Sequence, residues 1–354
     1  MTSLKLIEDL TNAFGPSGFE DEVVEVAKKY INAQTFEDST RNLYIGLEKE
    51  TTEKTAEQLR IMIDAHTDEV GMMVHYIKTN GTIAFTPLAG FLPAAFVAQK
   101  VLIKNREGDL ITGIVTSKPP HFAGKKDYGQ IEIEDLSIDI GASSKAEVEQ
   151  DYKIKPGCPI APATKFEYNQ KRDLMLAKAF DCRLGVAAVI DVMNNLPQTQ
   201  AQVVGTLTAQ EEIGVRGAVI TTRRVNPDIA IVFEGSPADD SILDSHMVQT
   251  ALGKGPMLRY LDGGMITHPR FIAYAIEIAK KNNIPIQESV RTKSGTNGKA
   301  IHLSNLGVPT IVISIPVRYI HTHHCFAKTA DYKNAIALAT AIVKDINRDI
   351  VNGF

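Results

Sequence analysis

Apolar positions along the chain follow one pattern at both ends and another in the middle. Within residues 3–33 they recur at helical spacing, with a break at the segment GPSG of residues 15–18. Short apolar runs at residues 41–47 and 58–65 then predict two strands, the second of them buried. The N-terminal part of the chain therefore predicts helices and strands that pack together.

The pattern changes between about residue 71 and residue 163. Short β-rich runs alternate there with turns rich in Gly, Asn, Lys and Pro. Closely spaced short strands are typical of a small barrel or sandwich. The predicted strands lie at residues 72–77, 82–86, 100–104, 110–115 and 130–133.

Strand–helix alternation returns after about residue 165 and indicates an α/β sheet with helical crossovers. The predicted strands lie at 175–180, 202–209, 228–233 and 310–315, and the predicted helices at 183–195, 214–222, 269–282 and 329–348. The predicted fold is α/β, a mixed-sheet α/β/α domain of residues 1–70 and 164–354. A small β-barrel-like domain of residues 71–163 interrupts it.

Composition narrows the class of protein without indicating a function. Of 354 residues, 44% are hydrophobic and 23% are charged, which is average for a globular protein. The formal net charge of −4 argues against a general nucleic-acid or anionic-membrane surface. The longest apolar run, residues 87–98, is too short to span a bilayer, and three cysteines are too few for a disulfide framework. We therefore expect a soluble, cytoplasmic protein with no nucleic-acid or membrane partner.

Side chains that can ligate metals lie just beyond the ends of predicted strands. They are His66, Asp181, Glu211, Glu212, Glu234 and His321. Ligands of open α/β sheets bind outside the carboxyl ends of the strands, so strands of one direction would bring these residues to one edge. Each residue alone also fits an ordinary structural role, such as a helix N-cap or a solvated loop residue.

If the adjacent pair Glu211 and Glu212 supplies one ligand, the set offers two imidazoles and three carboxylates, which suit Zn²⁺, Co²⁺ or Mn²⁺. They exceed what one four-coordinate ion needs, which favours two ions with Asp181 as the bridge. Glu211 adjoins a ligand without needing to be one, and this suits a general base. Asp68 follows His66 by two residues and can accept the other ring N–H of that histidine.

Seven motifs occur along nearly the whole chain in a specific order. They are FGPSGFE (14–20), DAHTDEVG (64–71), KAFDCRLG (178–185), AQEEIGVRGA (209–218), LGKGP (252–256), GTNG (295–298) and VRYIH (317–321). In this order and spacing the chain resembles the M42 metallo-aminopeptidases, the group of the tetrahedral and glutamyl aminopeptidases.

The resemblance implies a binuclear metal-dependent aminopeptidase. It implies that His66 and Glu234 hold one ion, that Glu212 and His321 hold the other, and that Asp181 bridges them. It also implies Glu211 as the general base, Asp68 as the carboxylate behind the first histidine, and a dimerisation role for the β-rich insertion. Dimers of the family commonly assemble into tetrahedral dodecamers, so we expect a homo-oligomer.

The chain departs from the common family pattern at several positions. Glu234 and Asn297 stand where many members have Asp, Cys182 stands where many have a second Asp, and Thr-His-His-Cys follows His321 at residues 322–325. These changes bear on substrate preference more than on the chemistry. The candidates for substrate contacts are Arg259, Arg318 and Thr296, with Lys254 as a further basic residue.

The expected reaction is the release of N-terminal residues from peptides. A metal-activated water would attack the scissile carbonyl, with Glu211 taking its proton. Two alternatives stay open: a metal-dependent carbohydrate hydrolase with a glucanase-like label, and a non-catalytic assembly protein. The absence of tryptophan and the histidine-bearing ligand set argue against the first, because glycoside hydrolysis usually needs two carboxylates that flank the bond.

Overall fold

The computed structural model describes residues 3–49, 58–122 and 131–354. The strands are β1 (Thr35–Glu37), β2 (Leu43–Ile45), β3 (Arg60–His66), β4 (Met72–Ile77), β5 (Ile83–Pro87), β6 (Lys100–Lys104), β7 (Leu110–Val115), β8 (Ile138–Asp139), β9 (Pro159–Pro162), β10 (Glu167–Asn169), β11 (Leu174–Ala177), β12 (Gln202–Thr208), β13 (Ile229–Pro237), β14 (Met257–Leu261), β15 (Gln287–Val290), β16 (Thr310–Val317) and β17 (Cys325–Ala327). The helices are α1 (Ser3–Asn12), α2 (Asp21–Lys28), α3 (Lys145–Gln150), α4 (Phe180–Asn194), α5 (Arg216–Val225), α6 (Pro269–Lys281), α7 (Gly298–Ile301), α8 (Thr329–Asp345) and α9 (Arg348–Asn352).

Eight strands form a mixed sheet in the order β1-β2-β12-β3-β13-β16-β14-β15. Its four central strands, β12, β3, β13 and β16, run parallel to one another. Strands β2 and β14 flank them in the antiparallel direction. The carboxyl ends of the four central strands therefore lie at one edge of the sheet.

The central strands are buried on both faces, so their alternate side chains enter two different cores. In β13, Ile231 and Phe233 pack in the larger core with α1, α2, α4, α6 and α8. Ala230 and Val232 of the same strand pack in the smaller core with α5 and α7. The result is the predicted mixed-sheet α/β/α architecture.

Six strands close a barrel in the order β4-β5-β8-β7-β6-β9, as the β-rich pattern predicts. The barrel has a hydrophobic core of its own, which includes Phe85, Ile103 and Ile160. The prediction of a strand at residues 130–133 is wrong for residues 131–133. Ile133 begins a 3-10 turn, Ile133–Asp135, because Asp135 accepts the backbone N–H of Glu132 and closes it. Residue 130 lies outside the described residues.

A three-stranded sheet, β10-β11-β17, connects two parts of the site that are distant in sequence. Strand β11 leads into α4, and β17 follows the loop after β16. Because Ala177 of β11 pairs with Cys325 of β17, this sheet holds the start of α4 beside that loop. Every helix in the described part of the chain is too short or too polar for a bilayer span.

Candidate metal centre

The parallel strands bring the predicted metal-ligating residues to one edge of the sheet. His66 is the last residue of β3, and Glu211 and Glu212 follow β12. Glu234 lies within β13 and not after it, which corrects the sequence interpretation. The strand continues to Pro237 because residues 235–237 pair with residues 315–317 of β16.

The first cluster consists of His66, Asp181 and Glu234. His66 Nε2 lies 3.2 Å from Asp181 Oδ1 and 3.2 Å from Glu234 Oε1. The other ring nitrogen, Nδ1, lies 3.1 Å from the backbone carbonyl of Asp68 and 3.3 Å from Asp68 Oδ1. Both ring nitrogens of His66 thus face acceptors, with Asp68 behind Nδ1 and the two carboxylates of the cluster at Nε2. Although burial opposes protonation, Glu234, Asp181 and Asp68 raise the pKa of His66 well above its ordinary value.

The second cluster consists of Asp181, Glu212 and His321. His321 Nε2 lies 3.3 Å from Asp181 Oδ2 and 3.5 Å from Glu212 Oε1. Its Nδ1 donates to the backbone carbonyl of Gly90 at 2.6 Å, so Nε2 again faces the acids. The two oxygens of Asp181 thus reach one cluster each, and in both clusters the donor atoms lie within 4.8 Å of one another.

The acids of the clusters are buried together, which strongly perturbs their titration. Burial raises the pKa of Glu234 well above its ordinary value and that of Glu212 to about 8, and the charge of Asp181 adds to both shifts. Burial, with Asp68 and Asp181 nearby, also raises the pKa of Glu211 to about 7. Carboxylates that are buried this close together stay ionised only if positive charge lies beside them.

The histidines supply part of that charge. Burial opposes protonation of His321, but Glu212 and Asp181 outweigh it and raise its pKa to about 10. Burial alone would raise the pKa of Asp181, yet its hydrogen bonds to His321 and His66 hold that pKa well below the usual range. Asp181 is therefore ionised more readily than Glu212 and Glu234, the other acids of the two clusters.

The residues present fit a divalent metal site. Glu234 Oε2 is buried and makes no hydrogen bond among the described residues, and Glu212 Oε1 is buried with only the 3.5 Å contact to His321 Nε2. Buried carboxylate oxygens without a donor are costly unless a cation satisfies them. The donor set of imidazole nitrogen and carboxylate oxygen suits Zn²⁺, Co²⁺ or Mn²⁺.

Cys182 also lies within reach of the first cluster. Its Sγ donates to the backbone carbonyl of Phe233 at 3.3 Å, and burial raises its thiol pKa well above the ordinary value. A metal-ligating cysteine must be a thiolate, so these contacts favour packing beside the bridge, as the sequence interpretation has it. A cis peptide bond joins Cys182 to Asp181.

Asp68 makes more contacts within the site than the sequence predicts. Besides facing His66, its Oδ1 accepts the backbone N–H of Glu211 at 2.9 Å, and its Oδ2 accepts that of Glu212 at 3.1 Å. Ser17 Oγ donates to the same Oδ2 at 2.6 Å. The carboxylate therefore positions the first histidine and both glutamates together.

A cavity of about 850 Å³ opens onto both clusters. Its wall contains most of the predicted site residues, namely Asp181, Glu211, Glu212, Glu234 and His321. Among the described residues, the Lys and Arg side chains in this wall are Arg259, Lys293 and Lys299. The cavity is large enough for several residues of a peptide.

The three predicted substrate-contact residues have different surroundings. Arg259 lies in the cavity wall, pairs with Asp262 at 3.3 Å, and its buried Nε has no partner among the described residues. Arg318 instead makes a bidentate pair with Asp240, with both contacts at 2.8 Å. Thr296 is buried and accepts the N–H of Gly298 at 3.2 Å. Of the three, the structure brings only Arg259 to the cavity.

Several residues that hold the site have no role in the sequence interpretation. Ser17 and Glu20 belong to the FGPSGFE motif, which supported the resemblance but indicated no function for either side chain. Asn42 Oδ1 accepts the N–H of Ala209 just before the two glutamates. Gly90 acts through its backbone carbonyl, so no side-chain pattern could have indicated it.

Comparison with known proteins places this site in a family. The glutamyl aminopeptidase of Lactococcus lactis subsp. cremoris is 31% identical over 98% of this chain and 97% of its own. A TET aminopeptidase from a marine sediment archaeon of the Thaumarchaeota is 34% identical, with a TM-score of 0.92 over 99% of this chain and 98% of that one. The Pyrococcus horikoshii TET1 peptidase can assemble into a tetrahedron or a large octahedral shell. It is 26% identical, with a TM-score of 0.85 over 98% of this chain and 100% of that one.

The match to a family model agrees with these similarities. The model of the M42 glutamyl aminopeptidases covers residues 49–338, which include both clusters and the barrel. This confirms the resemblance and identifies the protein as a peptide hydrolase. The chain belongs to the M42 glutamyl aminopeptidase family.

Proposed function

We propose that the protein is a binuclear metal-dependent aminopeptidase that releases N-terminal residues from peptides. The observation that carries the proposal is the pair of clusters that share Asp181 at the carboxyl ends of the parallel strands. His66 and Glu234 would hold one ion, and Glu212 and His321 the other. When bound, two such ions supply Lewis-acid polarisation of a carbonyl and lower the pKa of water.

Glu211 is proposed as the general base. It lines the cavity beside both clusters, and Asp68 fixes its backbone by a hydrogen bond. Its carboxylate would accept the proton of the attacking water and return it to the leaving amine. Asp68 would accept a hydrogen bond from Nδ1 of His66. The ring would then be free to offer the Nε2 lone pair to the ion.

We further propose a preference for an acidic N-terminal residue. Two divalent ions would offset the charge of the four carboxylates in the cavity wall. The basic side chains Lys293, Lys299 and Arg259, the last of which pairs with Asp262, would then make the wall favourable for a negative charge. Arg259 is the strongest candidate because it is buried and its Nε lacks a partner among the described residues. Arg318 and Thr296 would then support the loops around the site through their contacts with Asp240 and Gly298.

The proposed assembly is a homo-oligomer whose dimer contact lies on the barrel. The six barrel strands all lie between residues 72 and 162, within the predicted insertion of residues 71–163. Residues 1–70 and 164–354 would form the catalytic domain. Light scattering of the purified protein tests the assembly, and a monomer at micromolar concentration would contradict it. The cytoplasmic location stays a prediction.

Hydrolysis of a peptide panel tests the proposed function. The panel holds free and N-acetylated peptides that begin with Glu, Asp, Leu or Lys, assayed before chelation, after chelation, and after re-addition of Co²⁺ or Zn²⁺. We expect metal-restored release from free peptides only, with Glu and Asp first. If the metal-loaded protein releases nothing from any free peptide, the proposed function is wrong, and the carbohydrate and non-catalytic alternatives gain support.

A further inference from the structure

The loop between β5 and β6 contributes apolar side chains to the metal cavity. Phe91, Leu92 and Ala95 line it, and we call these three residues the apolar wall. Leu92 is 77% exposed, so a large apolar surface faces solvent at the reaction site. Phe91 stacks on the buried Phe96 with 3.9 Å between ring centroids, which gives the wall a packed base.

This loop contacts the site at two points, one at His321 and one at Ser17. The backbone carbonyl of Gly90 accepts from His321 Nδ1 at 2.6 Å. The carbonyl of Leu88 lies 3.3 Å from Ser17 Oγ, which itself donates to Asp68. The apolar wall therefore keeps a defined position relative to the clusters, although it belongs to the inserted barrel.

Arg259 and the apolar wall offer different surroundings to a peptide. Arg259 is only 2% exposed and lies on β14, which flanks the four strands whose ends surround the clusters. The first residue of a substrate has no chain before it, so its side chain can enter a closed recess. The chain after the scissile bond must instead leave the cavity toward solvent, past exposed residues.

We propose that the apolar wall binds the side chain of the second residue of the peptide and favours an apolar side chain there. The proposal rests on the proposed aminopeptidase function and adds a second determinant of specificity. Covering Leu92 with an apolar side chain removes both surfaces from water, which is favourable in proportion to the area buried. A binding contact of this size changes kcat/KM by about tenfold.

The experiment compares peptides that differ only at the second residue. Each begins with the residue that the wild-type enzyme releases best and continues as Leu-Gly or as Gly-Gly. For the wild type we expect kcat/KM to be about tenfold higher with Leu at the second position. Leu92→Ser should reduce this ratio to about two, mainly through KM, and Leu92→Met should preserve it because Met keeps the apolar surface.

Leu306→Ser is the matched control, because Leu306 is fully exposed and does not line the cavity. It should leave the ratio unchanged. Both substrates are measured on the same preparation, so incomplete folding or metal loading cancels in the ratio. An equal ratio for the wild type and Leu92→Ser would overturn the proposal while leaving the aminopeptidase function intact. No hydrolysis of any free peptide by the metal-loaded wild type would contradict the function itself.

Discussion

Three side chains from other parts of the fold hold the backbone that carries Glu211. Asn42 accepts the N–H of Ala209, Glu20 accepts that of Gln210 at 3.1 Å, and Asp68 accepts the next two. Gln210 has a φ of 59°, which a residue other than glycine rarely adopts. These hydrogen bonds therefore hold the loop that carries Glu211, the proposed general base, in a conformation that the loop sequence alone would not favour.

Removing the proposed base should abolish turnover and leave the metal site intact. Glu211→Gln keeps the side-chain volume but cannot accept a proton, so kcat should fall by a factor of about 10² to 10⁴. Metal content, measured by mass spectrometry of the loaded protein, should equal that of the wild type. Glu277→Gln, an exposed change on α6, is the control and should retain full activity. Near-normal kcat in Glu211→Gln would refute the assignment.

Glu20 should make the stability of the metal-free protein depend on pH. Burial, with Asp68 nearby, raises its pKa to about 7, whereas an unfolded glutamate titrates near 4.3. Between about pH 4.3 and pH 7, the folded state therefore keeps a proton on Glu20 that the unfolded state has released. The free energy of unfolding falls as the pH rises through this range. Glu20→Gln cannot titrate. From pH 5 to pH 8 its free energy of unfolding should thus gain about 2.5 kcal/mol relative to the wild type.

Urea unfolding of both proteins after chelation measures this difference. The chelator removes cations that would themselves lower the pKa of Glu20. Glu134→Gln is the control, because Glu134 is exposed. Its difference from the wild type should not vary with pH. If the curve of Glu20→Gln runs parallel to that of the wild type, the shifted pKa is wrong.

Asn297 shows how the structure accounts for a departure from the family pattern. Its Nδ2 donates to Asp64 Oδ2 at 2.7 Å and lies 2.7 Å from Thr208 Oγ1, beneath the site. Asp64 is fully buried, and burial raises its pKa to about 6. An amide can donate to this carboxylate at every pH, whereas an aspartate at 297 could do so only when protonated.

At the level of elements, the close contact of β13 with the start of α4 fixes the distance between Glu234 and Asp181. A Cβ on Gly235 would lie 2.9 Å from Asp181 Cβ and 3.0 Å from its Oδ1. Real Cβ atoms do not approach this closely, so only glycine allows the strand to carry Glu234 beside Asp181. This requirement could not be recognised in the sequence, because it depends on a residue 54 positions away.

Gly235→Ala should therefore weaken metal binding. The added methyl group would push Asp181 out of line with both clusters, and metal affinity should fall by about 10- to 100-fold. Competition with a coloured chelator measures the affinity. Gly295→Ala is the matched control, since it also lines the cavity but its Cβ would meet only Lys299 at 3.9 Å. Equal affinities of the two variants would contradict the prediction.

Strands differed in how clearly the sequence predicts them, because they differ in burial and in length. Strands β3, β12, β13 and β16 could be predicted because buried parallel strands are nearly continuous apolar runs. Strands β14 and β15 were missed because polar side chains interrupt their apolar runs, namely the buried Arg259 and Ser289 and the exposed Glu288. The two residues of β8 were missed because so short a strand depends on its barrel neighbours.

At the level of the whole molecule, the candidate metal centre joins segments from most of the chain. Its residues come from the loops and strand ends of the sheet, from α4, and through Gly90 from the barrel. Without cations, the buried carboxylates around Asp181 repel one another. Bound ions should therefore stabilise the fold as well as permit the reaction.

Metal removal should lower the melting temperature. At a free ion concentration of 100 times the dissociation constant, binding at one site stabilises the folded state by about 2.7 kcal/mol. For a chain of this size, that corresponds to a fall of about 4 °C on chelation for each site emptied. Calorimetry with and without chelator measures it. Asp181→Asn, which lacks the proposed bridge, should respond much less, and an equal response would show that the stabilising ion binds elsewhere.

The sequence by itself determined the α/β class, the barrel-like middle segment and the set of metal-capable residues. Apolar periodicity reflects burial on one or two faces, and ligand chemistry belongs to the side chains themselves, so neither needs the complete fold to be recognised. Only the tertiary structure decided which atoms meet. The carbonyl of Gly90 on His321, the three-way contact of Asp68 and the entry of Arg259 but not Arg318 into the cavity are contacts between distant segments. They depend on the register and direction of paired strands, which no local pattern encodes.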